Sequence, residues 1–304
     1  MMNQRGHLAT EQRNRDSSAI DQMSIVQAFD LINGEDARVA VAVAKAREEI
    51  CRAIELVVRS LRSGGRLFYV GAGTSGRLGV LDATECPPTF LTDPRMVQGI
   101  IAGGDVALTR SVEGAEDRRA DGVAAIAERG VESRDVVFAI ATGGTTPFVH
   151  GALEQAGRRG AGTVFLACVP REQVPDCADV SIRVMTGPEV ITGSTRMKAG
   201  TATKMVLNMV TTIAMVRLGK VYGNLMVDMN TTVNAKLVDR GIRTIEIVTG
   251  LSREEASGLL DASGGHVKVA LVMHRRKVGP DKAKALLGRV DGRVGDLLRG
   301  QDPD

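Results

Sequence analysis

Arg66-Leu-Phe-Tyr-Val-Gly-Ala-Gly-Thr-Ser-Gly-Arg-Leu-Gly79 decides the architecture of this 304-residue chain. Arg66 to Val70 is a short apolar, aromatic and β-branched run that reads as a buried strand. Gly71, Gly73 and Gly76 then mark a turn, and Leu78-Gly-Val-Leu-Asp-Ala-Thr84 reads as a helix. Strand, glycine turn and helix in that order make an anion site. Glycine lets the backbone approach a ligand closely, while unpaired N–H groups at the helix start point toward negative charge.

Working outward, strand-like runs recur at Val97–Ala102, Val136–Ala141, Gly162–Ala167 and Val180–Val184, with helical patterns around Ala107–Glu113, Arg118–Glu128 and Pro147–Gly157. Such alternation predicts an α/β fold with a doubly wound parallel sheet. Ligands of these sheets sit outside the carboxyl ends of the strands, which places the loops at 71–76, 102–105, 141–146 and 185–195 on one rim. Upstream, residues 1–34 read as an arm ending in a short helix. Glu35 to Leu61 carries Val39, Val43, Ile50, Ile54 and Val57 at helical spacing, predicting one long amphipathic helix closed by Ser63-Gly64-Gly65. Beyond Gly219 the character changes. Asn224–Asp228 leads into a helix expected through Ile247, Ser252 and Glu255 have capping-box spacing, and short helical patterns run to Leu298. The expected division is a large domain with its arm at 1–248 and a small helical module at 249–304.

Composition narrows the function classes. At 43% hydrophobic the chain can bury a substantial core without staples. Cys51, Cys86, Cys168 and Cys177 have no C-x-x-C spacing, so buried thiols in a reducing compartment are expected. Met1–Gln22 is polar and of mixed charge, without the apolar core of a signal peptide, which predicts a cytoplasmic location. Met205–Val216 is too short for the roughly 18 apolar residues of a membrane span. It reads as a buried or subunit-interface helix. From His266 to Gly300, nine Lys and Arg face three Asp, yet with 3% aromatics and no Trp there is little on which to stack bases, so no nucleic-acid partner is expected. His7, His150, His266 and His274 are scattered without metal-ligand spacing, and no metal is expected. No G-x-S-x-G elbow supports acyl chemistry.

Gly71-x-Gly73-x-x-Gly76 matches the dinucleotide fingerprint, but the acidic residue wanted about 20 positions on is displaced, since the next strand ends at Ala102-Gly-Gly-Asp105. Thr74 and Ser75 instead supply hydroxyls suited to a terminal phosphate. Thr142-Gly143-Gly144-Thr145-Thr146 and Thr192-Gly193-Ser194-Thr195-Arg196 repeat that chemistry at two further junctions. Singly, each fits plain turn and N-cap chemistry; together on one rim they suggest a polyhydroxylated phosphate ester.

Two carboxylates lie nearby. Glu85 precedes Pro87-Pro88, which are expected to stop the helix and set Glu85 at its negative end, favouring protonation. Glu116 precedes the start of another helix, favouring ionisation. A split of this kind provides an acid and a base, although a solvated Glu85 and an N-cap neighbour at Glu116 fit the same spacing.

Gly71–Gly79 with Asp82-Ala-Thr-Glu-Cys-Pro-Pro88, Val112-Glu-Gly-Ala-Glu-Asp117, Thr192–Ala202 and Gly219–Asp228 together resemble the N-acetylmuramic acid 6-phosphate etherase family, and the arm Thr10-Glu-Gln-Arg-Asn14 fits as well. The resemblance runs from about residue 10 to about residue 300. It implies a sugar isomerase (SIS) fold, a homodimer with sites near the subunit interface, a C-terminal module similar to a ubiquitin-associated domain, and no cofactor. The implied reaction cleaves a D-lactyl ether by elimination and hydration. The family's proton donor falls on Glu85 and its second carboxylate on Glu116. The substrate-binding residues are expected to be Gly73, Thr74, Ser75, Thr142, Gly143, Gly144, Thr145, Thr146, Ser194, Thr195, Arg196 and Lys198. Arg77, Arg196 and Lys198 are candidates for the lactyl carboxylate, each equally readable as part of a structural salt bridge. Gly143 and Thr145 stand where the family commonly has Ser and Arg, and Arg15 and Asp16 where it usually has Pro and Asn. A SIS-fold sugar-phosphate isomerase or a non-catalytic sugar-phosphate sensor are the rival functions.

Overall fold

The computed structural model describes residues 5–229, 231 and 235–300, which divide into two compact units, residues 5–84 with 95–211, and residues 85–94 with the described residues of 212–300. Helices α1 (Ile25–Ala37), α2 (Val39–Lys45) and α3 (Arg47–Arg62) precede strand β1 (Leu67–Gly71). The sheet chain continues through α4 (Gly73–Phe90), β2 (Val97–Ile101), α5 (Val106–Thr109), α6 (Arg119–Glu128), β3 (Val136–Ile140), α7 (Pro147–Arg158), β4 (Gly162–Ala167), β5 (Val180–Arg183) and α8 (Lys198–Arg217).

The five strands form one parallel sheet in the order β2-β1-β3-β4-β5. Buried on both faces, parallel strands read as unbroken apolar runs, which is why each was visible in the sequence. Successive side chains of β1 alternate between faces. Phe68 and Val70 join Val137, Ala139, Ile126 and Phe148 in a core with α6 and α7. Tyr69 points the other way, edge-on to Phe138 at 5.5 Å between ring centroids, and a Cβ on Gly79 of α4 would stand 2.8 Å from the Tyr69 Cβ. Helices therefore cover both faces. Register fixes the rim: Gly71 pairs with Ile101 on one side and Ile140 on the other, so the chains leaving β1, β2 and β3 start at one level.

Several expectations are corrected. The helix expected over Glu35–Leu61 is three helices, interrupted at Arg38 and Ala46, whose N–H groups bond back three residues to Glu35 (3.2 Å) and Val43 (3.0 Å). Helix α4 does not wait for Leu78 but begins at Gly73, and it does not stop at Pro87-Pro88. Proline φ is compatible with a helix; the pair withholds two N–H groups without ending the coil. The end comes where the Leu91 N–H bonds the Pro87 carbonyl at 2.9 Å and Leu91 turns to φ 50. Glu85 is thus not the terminal residue of its helix. The helix expected over Ala107–Glu113 shrinks to α5, followed by a 3₁₀ turn at Ala115–Asp117. Of the four cysteines only Cys86 and Cys168 are buried; Cys51 and Cys177 are exposed.

The second unit contains a hairpin, β6 (Val221–Tyr222) and β7 (Leu225–Met226), that the sequence reading missed, and helices α9 (Ala235–Thr249), α10 (Arg253–Ala262), α11 (Val267–Arg276), α12 (Pro280–Arg289) and α13 (Val294–Arg299). Residues 230 and 232–234, where the helix leading to Ile247 was expected to begin, lie outside the described residues. Ile242 and Ile245 of α9 share a core with Leu260, Leu271, Leu287 and Leu297. The Ser252–Glu255 capping box forms at α10. Asp228 receives Lys268 Nζ at 2.7 Å and Lys220 Nζ at 3.1 Å.

Candidate active site

The glycines at the β1–α4 junction serve packing as much as turning. A Cβ on Gly71 would lie 2.6 Å from the Gly76 nitrogen, and one on Gly76 would lie 2.6 Å from Ile101 Cγ1 and 2.8 Å from the Gly71 carbonyl oxygen. With Gly73 at φ +52, the chain passes from strand to helix without a loop. The first N–H groups of α4 have no intrahelical acceptor, and Thr74 and Ser75 lie in that same turn.

Two more hydroxyl-rich turns meet it. After β3, Thr142 to Thr146 leads into α7, where Thr146 occupies the N-cap position with its hydroxyl uncommitted to the cap and Pro147 opens the helix. Before α8, Gly193 to Arg196 closes the ring. Together they line a cavity of about 380 Å³ with Thr74, Ser75, Thr142, Gly143, Thr145, Thr146, Ser194, Thr195 and Arg196 on its wall, and Glu116 beside them. Hydroxyls, backbone amides at two helix starts and a cation suit a phosphate ester. Glu116, exposed in its 3₁₀ turn, adds a carboxylate.

Three other expected site residues, Lys198, Gly144 and Glu85, are not among the residues that line this cavity. Lys198 is 3% exposed and its ammonium is ion-paired with Glu35, which is 4% exposed. Glu35 also accepts from Arg38 at 2.6 Å and Asn14 at 3.0 Å. Lys198 is therefore not among the cavity-lining groups. The fully buried Glu189 caps the same helix start, accepting from the Lys198 and Ala199 N–H groups at 3.0 and 2.9 Å, while burial pushes its carboxyl above the ordinary value. Gly144 supports the turn from behind. Its φ is +81, its carbonyl accepts from His150 Nε2 at 2.6 Å, and a Cβ would meet Val169 and Val174 at 2.9 Å. Glu85 is exposed on α4, in the part of that helix that belongs to the second unit.

Residues 49–157 match the family model described as the glucokinase regulatory protein N-terminal SIS domain. The chain is 57% identical to the N-acetylmuramic acid 6-phosphate etherase of Crocosphaera subtropica, covering 97% of each protein. It is 58% identical to that of Picosynechococcus sp., over 97% of this chain and 98% of the relative, and 55% identical to that of Rippkaea orientalis, over 98% and 97%. The chain belongs to the N-acetylmuramic acid 6-phosphate etherase family. The SIS fold implied by the etherase resemblance is the five-stranded parallel sheet described above.

Of the four positions at which the chain departs from the expected family pattern, Gly143 and Thr145 fall on the cavity wall, and Arg15 and Asp16 are not among the lining residues. Gly143 has an ordinary φ, and a Cβ there would lie 3.7 Å from Thr10 Oγ1, a buried hydroxyl without a partner among the described residues. The sequence reading also missed three wall residues from the arm: Arg5, Leu8 and Glu11. One signal pointed there. Gly193 is held at φ +75 with Glu11 Oε2 2.9 Å from where a Cβ would be, so the arm threads against the 193–196 turn; the family-like Thr10–Asn14 segment marked that arm without showing where it lands. Among the described residues, no helix is long and apolar enough to cross a membrane, and no three His, Cys, Asp or Glu side chains group as metal ligands.

Proposed function

We infer that this chain cleaves the D-lactyl ether of N-acetylmuramic acid 6-phosphate, a carbon–oxygen lyase reaction giving N-acetylglucosamine 6-phosphate and D-lactate in bacterial cell-wall recycling. The observation that carries the reading is a cavity of three hydroxyl-bearing turns beside a carboxylate, in a chain sharing more than half its residues with proteins named for this substrate.

The chemistry follows from the substrate. An unactivated ether resists hydrolysis, but the open-chain sugar carries an aldehyde at C1 that acidifies the C2 proton. Glu116 removes that proton. The C3–O bond breaks, and Glu85, the family's proton donor by motif, protonates the departing lactate oxygen, leaving a 2,3-unsaturated aldehyde. Water then adds at C3 as Glu85 accepts its proton and Glu116 returns one to C2. Thr74, Ser75, Thr142, Gly143, Thr145, Thr146, Ser194 and Thr195 hold the phosphate, with Arg196 supplying charge; Gly73 lets the α4 amides approach, and Gly144 and Lys198 hold the turns that carry the others.

A cytoplasmic homodimer completes the proposal. Its support is helix α1, where Ile25, Val26 and Phe29 are 90, 68 and 64% exposed in the single chain, an apolar face that a second copy would cover; sedimentation equilibrium of the purified chain tests it. The activity is tested by enzymatic assay of D-lactate from N-acetylmuramic acid 6-phosphate. Release by the parent, with losses of about 10²–10⁴-fold in Glu85→Gln and Glu116→Gln, is expected. Interconversion of sugar phosphates without lactate would instead establish an isomerase.

A further inference from the structure

A second cavity of about 350 Å³ lies in the same unit and shares Ala72, Gly73 and Glu116 with the hydroxyl-lined one. Glu116 therefore stands on the partition between them. The chemistry of the two differs: in place of a row of threonines, the lining of the second includes two arginines, Arg77 and Arg110. These arginines are not equivalent. Half-buried Arg77 donates from Nε to the Leu108 carbonyl and from Nη2 to the Arg110 carbonyl, each at 3.2 Å, and so ties the Val106–Arg110 strap to the start of α4. Arg110 is exposed and its side chain makes no hydrogen bond or ion pair among the described residues, leaving its fork of donors open. Two acidic neighbours on that wall have other partners: Glu113 accepts from the Ser111 hydroxyl at 2.8 Å, and Asp117 faces Arg5 at 4.0 Å.

The substrate has a matching polarity. Its two anions, the lactyl carboxylate borne on O3 and the phosphate on C6, lie on two arms that diverge from C3, beside the C2 proton that the reaction removes. We propose that Arg110 binds the lactyl carboxylate in the second cavity, with Arg77 as the positioning residue that fixes the Arg110 backbone. The phosphate then lies among the hydroxyls and the C2 proton lies at Glu116. Carboxylate recognition by a guanidinium is planar and bidentate, which selects the lactyl arm over the neutral N-acetyl group. This assignment rests on the etherase reading of the site.

The test is steady-state kinetics of full-length Arg110→Gln and Arg110→Lys on N-acetylmuramic acid 6-phosphate. Arg110→Gln is expected to raise KM by about 10- to 100-fold, the worth of a charge-assisted pair, with Arg110→Lys recovering part of the loss. Inhibition constants of N-acetylglucosamine 6-phosphate and of inorganic phosphate, which lack the lactyl arm, should not change. A substrate analogue with the lactyl carboxylate converted to an amide should be poor for the parent and no worse for Arg110→Gln. An equal loss of affinity for N-acetylglucosamine 6-phosphate would put the phosphate in this cavity and overturn the assignment, as would an unchanged KM. Failure of the etherase reading is separable, since the parent itself would then release no D-lactate.

Discussion

Replacing Lys198 with Met separates a structural from a ligand-binding role for the one motif lysine that sequence reading placed at the substrate. Both side chains of the Lys198–Glu35 pair are about 95% buried, and removing one member of such a pair strands the other; the typical cost is about 3–5 kcal/mol. Glu35 would keep Arg38 at 2.6 Å and Asn14 at 3.0 Å, which favours the lower end, about 3 kcal/mol. For a unit of this size, each kcal/mol moves the melting point by about 2–4 °C, so a fall of about 6–12 °C is expected for the first unfolding transition. Calorimetry of Lys198→Met, Glu35→Gln and the double variant provides the assay, with a double variant less damaged than the two single losses summed. Acid titration adds a sign. Burial alone raises the Glu35 carboxyl, but Lys198, Arg38 and Asn14 outweigh it and hold the group below the ordinary carboxylate value. A depressed folded pKa contributes stability above the unfolded value that is lost as pH falls through the folded one. Lys198→Met should therefore flatten the acid limb of the stability curve. An unchanged melting point combined with a raised KM would refute the reasoning and make Lys198 a substrate ligand.

Gly143→Ser restores the common family residue at a position with ordinary backbone and room toward Thr10; it should fold normally and tighten binding of N-acetylglucosamine 6-phosphate by about three- to tenfold, one added neutral hydrogen bond, read as a competitive inhibition constant. Gly76→Ala forces a methyl against Ile101 and the Gly71 carbonyl, so a loss of about 1–3 kcal/mol in denaturant titration is expected, with a lower kcat/KM as Thr74 and Ser75 shift. Thiol titration of the native protein should find Cys51 and Cys177 reactive and Cys86 and Cys168 silent until unfolding; burial pushes the Cys168 thiol up to about 12, which also suppresses its thiolate.

The sheet was legible because doubly buried parallel strands are continuous apolar runs and the intervening helices carry their own period. The hydroxyl turns were legible because they sit at junctions that the sheet brings to one level. Other features depend on tertiary context. Nothing local in Gly73-Thr-Ser-Gly76, a poor helix sequence by propensity, reveals that it is already the first turn of α4, since the cause is the packing of Gly76 on Ile101 and Gly71. The proline pair reads as a stop on local rules, yet α4 continues to Phe90. The Lys198–Glu35 pair was not visible locally because its members lie 163 positions apart, and the placing of Arg5, Leu8 and Glu11 on the wall depends on an arm folding back across the rim.

Incubation of the protein with N-acetylmuramic acid 6-phosphate in heavy-oxygen water tests the central claim most directly. Elimination across C2–C3 followed by hydration predicts label on the C3 hydroxyl of N-acetylglucosamine 6-phosphate and none in the D-lactate, with Glu116→Gln slowing the appearance of both products by about 10²–10⁴-fold. Label in the lactate would mean that water attacks the lactyl carbon, and the assignment of Glu116 as the base at C2 would fall with it.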